Sequence, residues 1–295
     1  MAKTLCILHA NCQGDALRPL LENTPAFARS FTIRQLRNYT REEVADRDLA
    51  ACGLFLHQRL APRWGDLATE RLLPRLSPGC EAVILPNLFF KGYWPFWTSA
   101  FQGIDFADSL LEKLLASGLS PGDALRLYLR GDPALFGDVA AVAEDSLARE
   151  EAKEAADPIR CAGILRDRWR EEQLFITVNH PGRVLIFHVA DELLRLLGLG
   201  RVPESVRRAY VHPQEDFWLP LHPALGPRLG LAFASRERRY PVFGTTLTHQ
   251  EYTAAYLSCR AHGVRDLVGF LMGCGEDAAA RAQGAPAAAL PDRPA

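Results

Sequence analysis

The stretch Leu5-Cys-Ile-Leu-His-Ala-Asn-Cys-Gln-Gly-Asp-Ala-Leu-Arg-Pro-Leu-Leu21 decides how this chain folds. The short apolar run Leu5 to Leu8 reads as a buried β-strand. A helical pattern follows from about Asp15, with Leu17, Leu20 and Leu21 on one face. Asn11-Cys12-Gln13-Gly14 between them reads as a tight turn, in which Gly14 permits a sharp bend. Asp15 suits the N-cap or first turn of the helix. Cys12 therefore falls where a strand ends and a helix N-terminus begins. Helix dipole and free backbone N–H groups would stabilise a thiolate, or an oxyanion, at such a place. The position equally suits a buried structural cysteine, because free Cys is among the most buried residue types.

Outward from this unit the pattern repeats. Phe31–Leu36, Leu54–Leu56, Ala82–Leu85 and Leu174–Val178 read as further strands, and continuous apolar runs fit strands covered on both faces. Helical patterns alternate with them. Thr40-Arg-Glu-Glu43 resembles a capping box opening a helix to about Ala51, and Ser120-Pro-Gly-Asp123 opens another. Ala134–Arg149, Pro158–Glu172 and Pro181–Leu197 read as helices, and Thr248-His-Gln-Glu251 caps a last long one to about His262. The alternation predicts an α/β fold, a three-layer sandwich around a mostly parallel sheet. A single domain is expected over residues 1–275, with a helix-rich insertion at about 101–173 and a loop-rich part at 201–245. The Ala/Pro-rich residues 276–295 are expected to be disordered.

Composition narrows the class. The chain has 295 residues, 48% apolar and 23% charged, in the range of globular proteins. A net charge of −1 supplies no basic field for nucleic acid. Seven cysteines without dense spacing or a CxxC pair argue against a disulfide framework or a zinc ribbon. The start lacks the long apolar stretch of a secretory leader, and no run is long enough to span a membrane. A cytoplasmic protein with reduced thiols is the expectation.

A second junction resembles the first. The run from Phe175 ends at about Val178, His180 falls at the boundary, and Pro181 suits a first helical position. In a parallel sheet such turns share the carboxyl edge, where ligands bind, so Cys12 and His180 would meet there. A helix N-terminus would keep His180 neutral and able to act as a base. Two more strand ends bring His57 with Gln58, and Asn87, to that edge. The Asn87 amide could donate to an oxyanion. The aromatic run Leu88-Phe-Phe-Lys-Gly-Tyr-Trp-Pro-Phe-Trp97 suits a pocket mouth or plain core, and Lys91 within it suits a phosphate or carboxylate contact. His212-Pro213 and His222-Pro223, with Glu215 and Asp216 between them, are the components of a metal-site alternative, but their spacing matches no zinc pattern.

Asn11-Cys12-Gln13, His57-Gln58, Pro86-Asn-Leu-Phe-Phe-Lys-Gly-Tyr-Trp-Pro95 and Asn179-His180-Pro181 together resemble the WcbI-type polysaccharide biosynthesis proteins, over about residues 5–190. The resemblance implies a capsule-type acetyltransferase that binds coenzyme A. It implies acetyl-CoA as co-substrate and a sugar or glycan as acceptor; no metal is expected, on the spacing argument above. Cys12 and His180 would be catalytic, with Asn11, Gln13, Gln58 and Asn87 in oxyanion or positioning roles. Arg or Lys should line the entrance for the phosphates of coenzyme A. Arg59, Arg63, Lys91 and Arg183 are candidates, with His57 and Tyr93 beside them and the Arg236–Arg239 cluster as another option. The layout is also similar to SGNH-type hydrolases, with Cys12 in place of their Ser. Those enzymes carry an Asp three residues before the His, and Thr177 stands there in this chain. An SGNH-like esterase or thioesterase, or a non-catalytic module binding coenzyme A or sugar, are the competing readings.

Overall fold

The computed structural model describes residues 3–101 and 103–282. Its contacts divide them into two compact units. The first comprises residues 3–90, 144–169 and 173–214; the second comprises 91–101, 103–143, 170–172 and 215–282.

The first unit is built on four parallel strands: β1 (Thr4–Ala10), β2 (Phe31–Arg37), β3 (Cys52–Gln58) and β4 (Glu81–Leu85), in the order β2-β1-β3-β4. Central β1 is buried on both faces, as its unbroken apolar run requires. On one face Ile7, Leu36 and Phe55 pack with Leu49, Leu67 and Leu72 from the segments after β2 and β3. On the other lie Gly14 and Leu17 of the helix α1 (Cys12–Asn23), with Ile186 and Val189 of the helix Arg183–Leu196. Helices therefore cover both faces of a mixed α/β, three-layer unit.

Several local expectations change in three dimensions. α1 begins at Cys12, three residues before the apolar pattern becomes visible. Its N-cap is Asn11, whose Oδ1 accepts from the Gln13 N–H at 2.9 Å, while Asp15 lies in the first turn. Gly14 makes no bend. It sits inside the helix, where an added Cβ would stand 3.1 Å from Ala10 Cβ and 3.3 Å from Gln35 Nε2. Glycine is there to let the helix approach the sheet. Thr40 caps no helix: its hydroxyl donates back to the Arg37 carbonyl, and the next helix, Asp46–Ala51, starts six residues later.

The largest correction concerns the fifth strand. Phe175–Thr177 does not join the parallel sheet but pairs antiparallel with His180–Pro181 across the turn at Val178 and Asn179. Pro181 belongs to this hairpin, and the following helix starts at Arg183 with Gly182 as its N-cap. A run this short is apolar enough for either role, and the immediate chain reversal decides it.

The second unit is mainly helical, with one hairpin, Arg239–Val242 and Thr245–Thr248. Its helix starts are well capped. Asp108 accepts from the Leu110 and Leu111 N–H groups, Ser120 precedes Pro121–Arg130 as expected, and Thr248 with Glu251 forms the capping box of His249–Ala261. The helix expected over 134–149 is interrupted at Gly137, with φ +62°, between Pro133–Phe136 and Val139–Glu154. The one expected over 158–172 shortens to Ala162–Arg168, where Glu154 accepts from the Cys161 and Ala162 N–H groups.

Residues 101–173 are thus helix-rich, but 103–143 belong to the second unit and 144–169 to the first. The part at 201–245 holds the short helices Glu204–Ala209 and Leu225–Leu229. The last helix, Leu267–Ala282, runs past 276. The rest of the expected tail, 283–295, lies outside the described residues. Among the described residues no helix is long and apolar enough to cross a membrane.

Candidate active site

The carboxyl ends of β1, β3 and β4 converge with the hairpin after Phe175, and hydrogen bonds from side-chain amides hold them together. The Asn11 N–H donates to Gln58 Oε1 at 2.8 Å. Gln58 Nε2 donates to the Pro86 carbonyl at 3.1 Å. Gln13 Nε2 donates to the carbonyls of Leu88 and Asn179, at 2.7 and 3.0 Å, and its Oε1 accepts from the Leu88 N–H at 3.1 Å. The Phe90 N–H donates to the Val178 carbonyl at 2.8 Å. Gln13 and Gln58 are buried, so these bonds do not compete with water. They fix the loops, and with them the residues that the loops carry.

Held this way, His180 Nε2 lies 3.1 Å from Cys12 Sγ. On the far side of the ring, His180 Nδ1 lies 2.9 Å from Thr177 Oγ1. Thr177 and His180 are partners across the hairpin, because they flank its two-residue turn. The Thr177 hydroxyl donates to Asn179 Oδ1 at 3.1 Å, which leaves its oxygen to accept from an imidazole N–H. That arrangement assigns the proton to Nδ1 and turns the Nε2 lone pair toward the thiol. Thr177 thereby orients the histidine, as a carboxylate does in other triads. Asn179 Nδ2 stands 3.8 Å from Cys12 Sγ.

Burial sets the electrostatics. It pushes the Cys12 thiol up to about 11; the Asp15 carboxylate adds to this, and the N–H groups of Cys12 and Gln13 pull the other way. Asp15 itself is held by Gln35 Nε2 at 2.6 Å and Arg37 Nε at 3.0 Å. His180 is pushed down to about 4 by burial first and by His212 second. The resting pair is a neutral thiol against a neutral imidazole. The helix terminus expected to yield a thiolate is present, but desolvation outweighs it.

The other sequence candidates fall in different surroundings. Asn11 Nδ2 donates to Asn87 Oδ1 at 3.1 Å, and Lys153 Nζ donates to the Asn87 carbonyl at 2.6 Å. His57 is buried on β3 against the Phe55 ring, and burial lowers its pKa. Arg59 is exposed and paired with Asp157 at 2.8 Å. Arg183 is exposed, with its guanidinium 5.8 Å from the Tyr210 ring. Lys91 and Tyr93 belong to the second unit, where Tyr93 is fully buried and donates to the Glu172 carbonyl at 2.9 Å. His212 and His222 each use both ring nitrogens on backbone groups, through Pro181 and Gln214 in one case and Tyr128 and Ala224 in the other. Among the described residues no cluster of His, Cys, Asp or Glu could hold a metal ion. Thr177 and Asn179 are the groups whose roles the sequence reading missed. Their spacing around a two-residue turn was the available signal.

A family model described as polysaccharide biosynthesis enzyme WcbI matches residues 5–202. No curated protein matches the chain. A solved structure of WcbI, described as a novel polysaccharide biosynthesis enzyme, is similar over 95% of this chain and 96% of that one, at 18% identity and a TM-score of 0.74. It is the native form of that protein without a disulfide bond between coenzyme A and one of its cysteines. At that identity the likeness establishes the shared fold. The family match takes in β1 to β4, Cys12, the hairpin and His180, and the chain belongs to the WcbI family of polysaccharide biosynthesis enzymes.

Proposed function

We propose that this chain is an acyl-CoA-dependent O-acyltransferase, using acetyl-CoA to acetylate a sugar or polysaccharide precursor. The 3.1 Å approach of His180 Nε2 to Cys12 Sγ, with the tautomer fixed by Thr177, carries this reading. Coenzyme A as the acyl carrier follows from family membership and from the coenzyme A named with the WcbI structure of the same fold. His180 takes the Cys12 proton as Sγ attacks the thioester carbonyl. The bond between that carbonyl and the sulfur of coenzyme A breaks, and His180 returns the proton to the departing thiolate. A sugar hydroxyl then attacks the acyl-Cys12 thioester while His180 accepts its proton. That proton finally passes to the released Cys12 sulfur.

Neighbouring groups are assigned the other roles in this proposal. The N–H of Cys12, with the side-chain amides of Asn179 and Asn87, can face the developing oxyanion. Gln13 and Gln58 act as positioning groups, because their amides already tie the loops together. Asn11 caps the helix and orients Asn87. Arg59 and Arg183, both exposed in the first unit, remain the proposed contacts for the phosphates of coenzyme A, whereas His57 and Tyr93 are too deeply buried to reach it.

One observation favours a second reading. A thiol pushed up to about 11 is a reluctant nucleophile, so His180 could deprotonate the sugar hydroxyl directly while Cys12 shapes the pocket. Intact-mass measurement after brief incubation with acetyl-CoA separates the two. An acetyl adduct in the wild type and none in Cys12→Ala establishes the covalent route. Turnover lost by at least about 10³-fold in that variant is the matching kinetic expectation. Turnover that survives Cys12→Ala without any adduct establishes direct transfer. Binding of coenzyme A without transfer to any sugar leaves only a binding module.

A further inference from the structure

The segment after β4, Asn87-Leu-Phe-Phe90, has no regular structure, yet its backbone is held in place. Gln13 takes the N–H and the carbonyl of Leu88, and the Val178 carbonyl takes the Phe90 N–H. The groups on either side of Leu88 go elsewhere. The Asn87 carbonyl accepts from Lys153 Nζ at 2.6 Å, and the Phe89 N–H donates to the Glu150 carboxylate. Glu150 Oε1 accepts in turn from Lys153 Nζ at 2.5 Å. Glu150 and Lys153 lie three residues apart at the end of the helix Val139–Glu154, in the same unit as Cys12. One ion pair thus grips the segment from both sides of Leu88.

Glu150 is buried, while Lys153 is about half exposed. Burying a carboxylate costs solvation that an apolar residue would not, so stability alone gives no reason for Glu150. The other end of the grip supplies one. Asn87 Oδ1 accepts from Asn11 Nδ2 at 3.1 Å, and Asn11 is the cap of the helix that begins at Cys12. With Oδ1 taken, Nδ2 is the end of the Asn87 amide left to face a reacting group. Burial pushes Glu150 up to about 7; Lys153 and the Phe89 N–H pull the other way, and Glu154 adds to the push. The charged and titratable groups that act on it are Lys153 and Glu154 from its own helix and Cys161 from the segment beyond, whose thiol is itself pushed far up by burial.

We propose that Glu150 and Lys153 are positioning residues for acyl transfer, holding the segment so that the Asn87 amide meets the oxyanion formed at the thioester carbonyl. This deepens the acyl-transfer reading above and rests on it. Ionised, Glu150 draws Lys153 onto the Asn87 carbonyl. Protonated, it gives up that hold, and the Lys153 side chain turns to water. The test is the rate of acetyl-Cys12 formation, followed by intact mass, in the full-length protein and its variants. The acyl donors are acetyl-CoA and, in parallel, S-acetyl-N-acetylcysteamine, a thioester without phosphates. Lys153→Met should slow acetylation about 10- to 100-fold with the half-saturating donor concentration unchanged, and Lys153→Arg should restore most of it. Asn87→Ala should slow it at least as much, and adding Lys153→Met to Asn87→Ala should slow it no further. That non-additivity separates positioning from a structural role, because Asn87→Ala keeps the carbonyl that Lys153 holds. Alkylation of Cys12 by iodoacetamide forms no oxyanion and should be unchanged in Lys153→Met. Cys12 and His180 titrate near 11 and 4, so with the phosphate-free donor a rate that falls as pH drops through about 7 reports Glu150, and Glu150→Gln should flatten it. Additive losses, slowed alkylation, or a fall that survives in Glu150→Gln overturn this inference and leave the covalent reading standing. A wild type that takes up no acetyl group from either donor overturns the covalent reading and this inference with it.

Discussion

The polar cluster around Cys12 and the aromatic pocket around Tyr252 treat buried hydrogen-bonding groups in opposite ways. In the first unit Gln13 and Gln58 are buried and fully engaged, and the chain Asn179, Thr177, His180, Cys12 runs unbroken. In the second unit the Tyr252 hydroxyl and His249 Nδ1 are buried without partners among the described residues. The contrast sets function against stability. A reacting sulfur and its base need fixed positions, which come from bonds satisfied inside the protein. Buried groups left without a partner only cost stability, and removing them should not weaken the fold.

Acid gives the largest test of this contrast, because both regions bury neutral imidazoles. His9, His180 and His222 are each pushed down to about 4 by burial. The unfolded chain takes up these protons near the ordinary histidine pKa of about 6.5, and the folded chain resists until about 4. Their contribution is complete above about pH 6.5 and is lost as the pH falls toward 4, so acid favours unfolding. Each such histidine costs on the order of 1 kcal/mol per pH unit in that window. Unfolding free energies from urea titrations at pH 7 and pH 5 should differ by several kcal/mol in all; equal values would mean that the imidazoles protonate in place.

Next in size is Gln13→Leu. It would strand the Leu88 N–H and the carbonyls of Leu88 and Asn179, and should lower stability by about 2–4 kcal/mol. A urea titration that finds less than about 1 kcal/mol would show that water replaces the amide and that the cluster is not closed.

Thr177→Val probes the tautomer rather than the fold. Without an acceptor for Nδ1–H, the imidazole can present the wrong nitrogen to Cys12. Turnover should fall about 10- to 100-fold with little change in KM, and Thr177→Ser should restore it. An unchanged turnover in Thr177→Val would assign the orientation of His180 to other groups. The smallest effect belongs to Tyr252→Phe, where stability should stay level or rise by up to about 1 kcal/mol. A loss of that size would reveal a hidden partner for the hydroxyl and erase the contrast between the two regions.

Much of the first unit was legible because its signals are local. Apolar runs of strand length, separated by amphipathic segments, located all four parallel strands, and Cys12 and His180 stood at chain junctions that could be read residue by residue. The hairpin was not legible, because three apolar residues look alike in a sheet and in a hairpin. Thr177 had been noticed only as a missing Asp, although its place across a two-residue turn makes it the partner of His180. Gln13 and Gln58 read as possible oxyanion donors because one residue's spacing does not show where its amide is already engaged.

The sequence by itself determined the four parallel strands of the first unit, the helix caps at Ser120 and Thr248, and the placing of a thiol at the first turn of a helix. Those depend on contacts within a few residues, where propensity and hydrophobic period act. Tertiary structure alone decided that Cys12 meets His180, 168 positions away in sequence, and that the pair is partly buried there. It also decided that burial prevails over the helix terminus, leaving Cys12 a thiol pushed up to about 11. The physical reason is that desolvation is a property of everything packed around a group, and nothing in the group's own neighbourhood along the chain specifies it.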